Sequence, residues 1–596
     1  MTETPLTDEG RDRWDSRTAF IMAAIGSAVG LGNVWRFPYT AYANGGGAFF
    51  IPYIVALLTT GIPLMILEMG IGQMFQGSAP KALRRVNKTF EWVGWFALGT
   101  ASMISFYYAV VMAWSWQFLF ESFRYAFADT MPWAGDAEAY FAESILRRAD
   151  RGPETWQIVW PLVAGLAATW AAVFLIIHKG VHRVGRVVLV TVPLPVLLLV
   201  VLAIRGLTLE GAVNGVEYYL RPDFEKLRDP QVWLAAYGQI FFSLTLGFGV
   251  MIAYASYNKR RGDITNNAFI TSLANCATSF LAGFVVFSVL GFLALKQGNV
   301  PVADVVKGGP DLAFVAYPLA ISKLGEYGRF WPPLVAILFF ITLLSLGIDS
   351  LFSLVEAAVA GLHDRFSSLS RNTVTAGMCI GGFLVGLVFA TRGGLAWLGV
   401  FDRWCNDYGL AFVGLMECLA IGYFFRTERL REYINSVSEI HLGGWWELCI
   451  RLVTPLALTV LLGHQILTKE LLAAAGDDAD RIAFLGMHVH RATVAKVFFF
   501  GLLVGAFILG RRKRLIGIIA SGVAAYFLFS VWLSTAASLT GALALMILLG
   551  GLAICIGIAM RGKDVQHHEQ THGWPEEERR RHISASLPAD ERPGES

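Results

Sequence analysis

Asp349 sits inside an apolar run, 331–361, and no lysine or arginine lies within a turn or two of it. A carboxylate at such a position is costly to bury, and its default reading is a functional site on an ion or substrate path. Two other stretches carry related chemistry. Gly26-Ser27-Ala28-Val29-Gly30-Leu31-Gly32-Asn33 and Ser243-Leu244-Thr245-Leu246-Gly247-Phe248-Gly249 each interrupt an apolar segment with closely spaced glycines and small polar residues. A helix hides its carbonyls in its own hydrogen bonds, and unwinding it frees them. A dehydrated alkali cation needs about five or six hard oxygens, which freed carbonyls supply. Glycines alone are equally compatible with close helix packing. Asn33, Ser243 and Thr245 beside them favour a binding site.

The elements that must hold these residues are membrane helices. The chain has 596 residues, 55% hydrophobic and 16% charged, with a mean hydropathy of +0.54. Lipid must be the solvent for much of such a chain. A net charge of +3 gives no reason to expect a nucleic-acid partner. Residues 1–17 are polar and do not read as a signal peptide. Apolar segments of spanning length fall at 18–42, 48–75, 94–122, 156–178, 185–205, 233–256, 267–296, 331–361, 374–391, 397–425, 445–468, 495–510, 515–533 and 538–560. The expected fold is an all-α polytopic membrane protein with about fourteen transmembrane helices.

Basic residues orient it. Lys81, Arg84, Arg85 and Lys88 lie between spans 2 and 3, and Lys179, His182, Arg183 and Arg186 between 4 and 5. Lys259, Arg260 and Arg261 follow span 6, Arg365 and Arg371 separate 8 from 9, Arg426, Arg429 and Arg431 follow 10, and Arg511 to Arg514 follow 12. All share one side if both termini are cytoplasmic. The two glycine-broken spans, 1 and 6, open two runs of about five helices, a pointer to inverted repeats with a site at their interface. The expected organisation is a cytoplasmic N-terminus with an inner gate at 1–17, a first five-helix repeat at 18–206 and an extracellular loop at 207–232. A second repeat at 233–426, further spans at 427–560 and a charged, disordered cytoplasmic tail at 561–596 complete it.

Longer stretches resemble the neurotransmitter:sodium symporter family. They are Gly30-Leu31-Gly32-Asn33-Val34-Trp35-Arg36-Phe37-Pro38, Asn44-Gly45-Gly46-Gly47-Ala48-Phe49, Ile51-Pro52-Tyr53 and Gly61-Ile62-Pro63-Leu64. Gly238-Gln239-Ile240-Phe241-Phe242-Ser243-Leu244, Tyr254-Ala255-Ser256-Tyr257, Asn275-Cys276-Ala277-Thr278-Ser279-Phe280 and Gly347-Ile348-Asp349-Ser350 follow in order. The resemblance runs from about residue 11 to 468. That family is itself one of the sources of the inverted-repeat rule, so the rule gives it no independent support.

The resemblance implies a bacterial-type, sodium-coupled transporter with a LeuT-like fold working by alternating access. It implies one sodium between spans 1 and 8, on the carbonyls of Gly26, Val29 and Leu346 and the side chains of Asp349 and Ser350. A second would use the Ala28 carbonyl, Asn33, Ser243 and Asn275. Amine-transporting members carry an aspartate where Gly30 stands here, so the substrate must bring its own carboxylate. That group would meet the sodium, the Gly32 amide and the Tyr108 hydroxyl, at helix ends suited to a zwitterion. The side-chain pocket would be lined by Ile104, Phe242, Thr245, Phe248, Ser350 and Leu354, with no ion to greet a charged group. A neutral amino acid is therefore the expected substrate. Chloride-independent relatives place an acid where Ser279 stands, and Tyr53, Gln239, Ser243, Asn275 and Ser279 reproduce a chloride site. Arg36 with Asp402 matches the outer gate pair, and Arg11 with Asp364 the inner one, with Trp14 and Tyr257 nearby.

Other signals are discounted. His568-Glu569-Gln570-Thr571-His572 has the spacing of a zinc-protease helix but lies in the polar tail, before Gly573 and Pro575. His488 and His490 read as solvated, and the six cysteines as small buried hydrophobes without a disulfide framework or metal cage. No nucleophile–base set suggests an enzyme. A sodium-dependent amino-acid sensor that binds without transporting is the alternative to a symporter. The absence of a cysteine pair and of glycosylation sites in the loop between spans 3 and 4 points to a prokaryotic cell membrane.

Overall fold

The computed structural model describes residues 12–149, 152–465, 481–484 and 487–490. All fall within one structural unit of the chain. Arg11, the three expected spans beyond residue 490 and the tail with its HExxH spacing lie outside the described residues.

The first helix, α1 (Arg17–Ala28), starts where the Ser16 hydroxyl accepts from the Ala19 amide, satisfying one of the donors that every helix start exposes. Val29 and Gly30 leave the helix in extended conformation. Helix α2 (Leu31–Ala43) then resumes, bent by 53° from α1. The helical spans α3 (Gly47–Phe75), α4 (Lys88–Arg124), α5 (Trp160–Ile177) and α6 (Val181–Leu207) follow. The second interrupted helix consists of α7 (Pro230–Ser243) and α8 (Val250–Ala255). After it come α9 (Thr265–Lys296), α10 (Trp331–Arg365), α11 (Arg371–Gly386), α12 (Gly394–Phe425) and α13 (Gly444–Gln465).

Eight described helices are long and apolar enough to cross a bilayer, nine if the α1–α2 pair counts as one span. The two remaining expected segments within the described region are shorter. One is the α7–α8 pair, and the other is α11, whose 16 residues end at Gly386 instead of reaching 391. The described chain is nearly all-helical rather than all-α. Arg481–Phe484 and Met487–His490 form a two-stranded antiparallel ribbon where a loop was expected. Its sequence alternates apolar and polar residues through Met487, His488, Val489 and His490, the period of a strand and not of a helix.

The predicted same-side loops meet at one end of the helices. His182 pairs with Asp15 at 2.5 Å, Arg371 with Asp12 at 3.7 Å, and Lys81 with Asp364 at 3.6 Å. The predicted opposite loops also find each other, through Arg392 with Glu154 at 3.1 Å and Lys307 with Glu138.

Candidate functional site

The break between α1 and α2 keeps the Gly30 and Leu31 amides occupied while the Gly26 and Val29 carbonyls face the Ser350 hydroxyl. The Asn33 side-chain oxygen accepts from the Gly30 amide at 2.8 Å, and the Tyr108 hydroxyl from the Leu31 amide at 3.3 Å. Opposite, in α10, the Ser350 Oγ lies 3.5, 3.3, 3.4 and 3.4 Å from the carbonyl oxygens of Gly26, Ser27, Val29 and Leu346. One hydroxyl proton cannot serve four acceptors. The surplus of carbonyl oxygen is what a hard cation would neutralise. Asp349, only 2% exposed, flanks this cluster, and a Cβ placed on Gly26 would sit 3.3 Å from its Oδ2. Its other oxygen accepts from the Thr191 hydroxyl at 2.7 Å. Gly26, Val29, Leu346, Asp349 and Ser350, proposed together from sequence, come together in space. Thr191 was missed, although it is the polar exception in the run Val187–Val201.

The second set centres on Asn33 and Asn275. The Asn33 amide nitrogen donates to the Asn275 Oδ1 at 2.8 Å and to the Ser279 Oγ at 2.7 Å. Asn275 in turn donates to the Ser243 Oγ at 2.8 Å. Ala28, the remaining member, closes α1 just before the break. Among the described residues no three His, Cys, Asp or Glu side chains gather into a metal cluster. The donors gathered in the two sets are carbonyls, hydroxyls, amides and the Asp349 carboxylate, suited to hard ions.

Beside them Tyr53, Ser279 and Gln239 approach the same helices. Tyr53 lies near Ser279 and donates to the Cys276 thiol at 3.3 Å, a partner sequence reading did not name. Gln239 is 2% exposed, and neither its amide nitrogen nor its oxygen has a partner. An orphaned buried donor costs free energy until something accepts from it. An anion accepting from the Gln239 amide, one turn before Ser243 in α7, fits that need.

Two of the expected site residues, Ser350 and Tyr108, crowd Gly30. A Cβ there would meet the Ser350 Oγ at 2.6 Å and the Tyr108 hydroxyl at 3.4 Å, so any side chain must displace one of them. Gly32 faces Phe242 at 3.0 Å in the same test. Ile104, Phe248 and Leu354 are buried, and the Thr245 hydroxyl donates to the Ser27 carbonyl at 2.9 Å.

The gates are only partly assembled. The Arg36 guanidinium stacks over the Phe242 ring at 4.4 Å, a cation–π contact. Asp402 accepts from Tyr107 at 2.9 Å and from Asn406 at 2.5 Å. Arg36 acts on Asp402 electrostatically without closing an ion pair with it. At the other end Asp364 accepts from the Ser78 amide at 2.9 Å. The Trp14 indole donates to the Tyr254 carbonyl at 2.9 Å and packs edge-on against Tyr257. Glu356, fully buried, accepts from Tyr257 at 2.9 Å and from Arg371. This network also escaped sequence reading, and its signal was again a carboxylate in an apolar span.

Broken helices and eight apolar spans define a multi-pass membrane protein whose oxygens converge inside the helix bundle. The family model of the sodium:neurotransmitter symporter family matches residues 11–152 and 134–474. An uncharacterised sodium-dependent transporter of Methanocaldococcus jannaschii is 41% identical over 452 residues, covering 76% of this chain and 89% of that protein. The sodium- and chloride-dependent taurine transporter of Bos taurus is 36% identical over 483 residues, 75% and 77% of the two chains. The sodium- and chloride-dependent neutral and basic amino acid transporter B(0+) of Mus musculus is 34% identical over 518 residues, 76% and 80%. The chain belongs to the sodium:neurotransmitter symporter family, a family of transporters and not of enzymes.

Proposed function

We propose that this protein couples sodium, together with chloride, to the inward symport of a neutral amino acid. The observation that carries the reading is the Ser350 hydroxyl set among four carbonyl oxygens beside buried Asp349. One sodium would be held there by Gly26, Val29, Leu346, Asp349 and Ser350. The other would be held by the Ala28 carbonyl, Asn33, Ser243, Asn275 and the substrate carboxylate. Chloride would sit between Tyr53, Gln239, Ser243, Asn275 and Ser279, where two cation charges in low dielectric need compensation beyond Asp349 and the substrate. The names of the taurine and amino-acid relatives support ion dependence and a small zwitterion. The crowding of Gly30 by Ser350 and Tyr108 supports a substrate that carries the carboxylate itself. The apolar lining of Ile104, Phe248 and Leu354 supports a neutral side chain.

The transport cycle follows from the breaks. Fourteen spans with inverted repeats, both termini cytoplasmic in a cell membrane, would let spans 1, 2, 6 and 7 rock against the rest. Arg36 with Asp402 would close the outer path, and Arg11 with Asp364 the inner one, because ion pairs are made and broken at nearly balanced cost where water can replace the partner. Proteoliposomes with an imposed inward sodium gradient test the proposal. Accumulation of a neutral amino acid that collapses when sodium is exchanged for potassium is expected. Sodium-dependent binding without accumulation would instead establish a sensor.

A further inference from the structure

Two carboxyl groups deep in the helices play no part in the sites above. Glu68 of α3 and Glu417 of α12 are both 0% exposed. Their charges act on one another, and the other titratable group facing them among the described residues is the Cys418 thiol. Among the described residues, three of the four carboxylate oxygens, Glu68 Oε2 and both of Glu417, have no hydrogen-bond partner, and neither residue forms an ion pair. The remaining oxygen, Glu68 Oε1, accepts from the Gly247 amide at 2.8 Å. Gly247 lies in the break between α7 and α8 at a φ of +77°. Glu417 shares a helix with Gly414, whose backbone lies against that same glycine.

Two adjacent carboxylates without a cation cannot both stay ionised in an apolar interior. One amide donor can support one of them. The other keeps its proton, or the two share it.

We propose that Glu68 and Glu417 form a proton-binding site linked to the α7–α8 break, so that a proton enters or leaves it as the break rearranges. The sign follows from the hydrogen bond. While the Gly247 amide donates to Glu68 it favours the ionised form, and its withdrawal favours uptake of a proton from water onto a carboxylate oxygen. The reaction is an exchange of H⁺ between that oxygen and bulk water, with no other group transferred. The inference rests on the transport reading for its role in the cycle, but the protonated carboxyl itself does not.

Infrared difference spectra of the full-length protein at neutral pH separate the two. The carbonyl band of a buried, protonated carboxyl is expected, and it should be lost or shifted in both E417Q and E68Q. No such band, or one untouched by either substitution, overturns the proposal whatever the protein transports. In proteoliposomes with a pH-sensitive dye, the ratio of protons moved to substrate taken up should fall about tenfold in E417Q. An unchanged ratio also overturns it, whereas absence of sodium-driven uptake in the parent protein counts against the transport reading and leaves the infrared result to decide the site.

Discussion

The two helix breaks solve the same problem in opposite ways. At Val29–Gly30 the backbone is extended, and its amides are taken by Asn33 and Tyr108. What remains there for a cation is the carbonyl oxygen of Gly26 and Val29, since those of Ser27 and Gly30 already accept from Thr245 and Asn33. Between α7 and α8 the chain passes through left-handed residues, Thr245 at φ +56°, Gly247 at +77° and Gly249 at +73°. A buried carboxylate holds the middle of that loop through the Gly247 amide. The first break offers negative oxygens to a cation, and the second consumes a negative oxygen to keep its own shape. They are joined by one bond, Thr245 to the Ser27 carbonyl. The lesson is that an unwound helix suits a cation only where its donors are satisfied and some of its acceptors are not.

The largest effect should come from disturbing the first break. Asp349→Asn keeps the shape and the Thr191 partner but removes the charge from the oxygen cluster. A loss of about 3 kcal/mol, more than a hundredfold in sodium affinity, is expected. It is read from the sodium dependence of substrate binding, and an unshifted sodium titration would remove Asp349 from the site. Next is the anion. Replacing chloride with gluconate should lower uptake about tenfold, the effect of roughly 1.4 kcal/mol. Ser279→Glu, which supplies a fixed negative charge, should abolish that sensitivity. Uptake equally strong in gluconate before the substitution would end the chloride assignment.

Much of the first break was legible in sequence because its signals are local: glycines closely spaced, a nearby asparagine, and an acid in an apolar helix. The family resemblance then put Leu346, Ser350 and Asn275 beside it, and the helices bring these residues together. The supports of the second break were not legible. Glu68, Glu356 and Glu417 obey the same rule that singled out Asp349, an acid in an apolar span. Each was passed over because its meaning depends on a partner from a distant helix: Gly247, Arg371 and Tyr257, or another acid. Thr191 hides for the same reason, 158 residues from Asp349. The strand ribbon was missed because two four-residue strands alternate too briefly to stand out from a loop.

Smaller effects should fall on the second break, and they separate its two supports. Glu68→Ala leaves the Gly247 amide buried without an acceptor, at a cost of about 1–3 kcal/mol. Glu68→Gln keeps an oxygen in place and should lose less, as a thermal unfolding midpoint in detergent would read. Thr245 is the finer test, because its hydrogen bond and its backbone strain oppose each other. Thr245→Val retains a β-branched residue in the left-handed region and deletes the bond to Ser27, a loss of about 1 kcal/mol. Thr245→Gly deletes the same bond but also removes strain of about 1 kcal/mol, offset in part by the freer unfolded chain. The glycine variant should therefore unfold at the higher temperature of the two. The reverse order would mean that the φ of +56° costs this loop nothing.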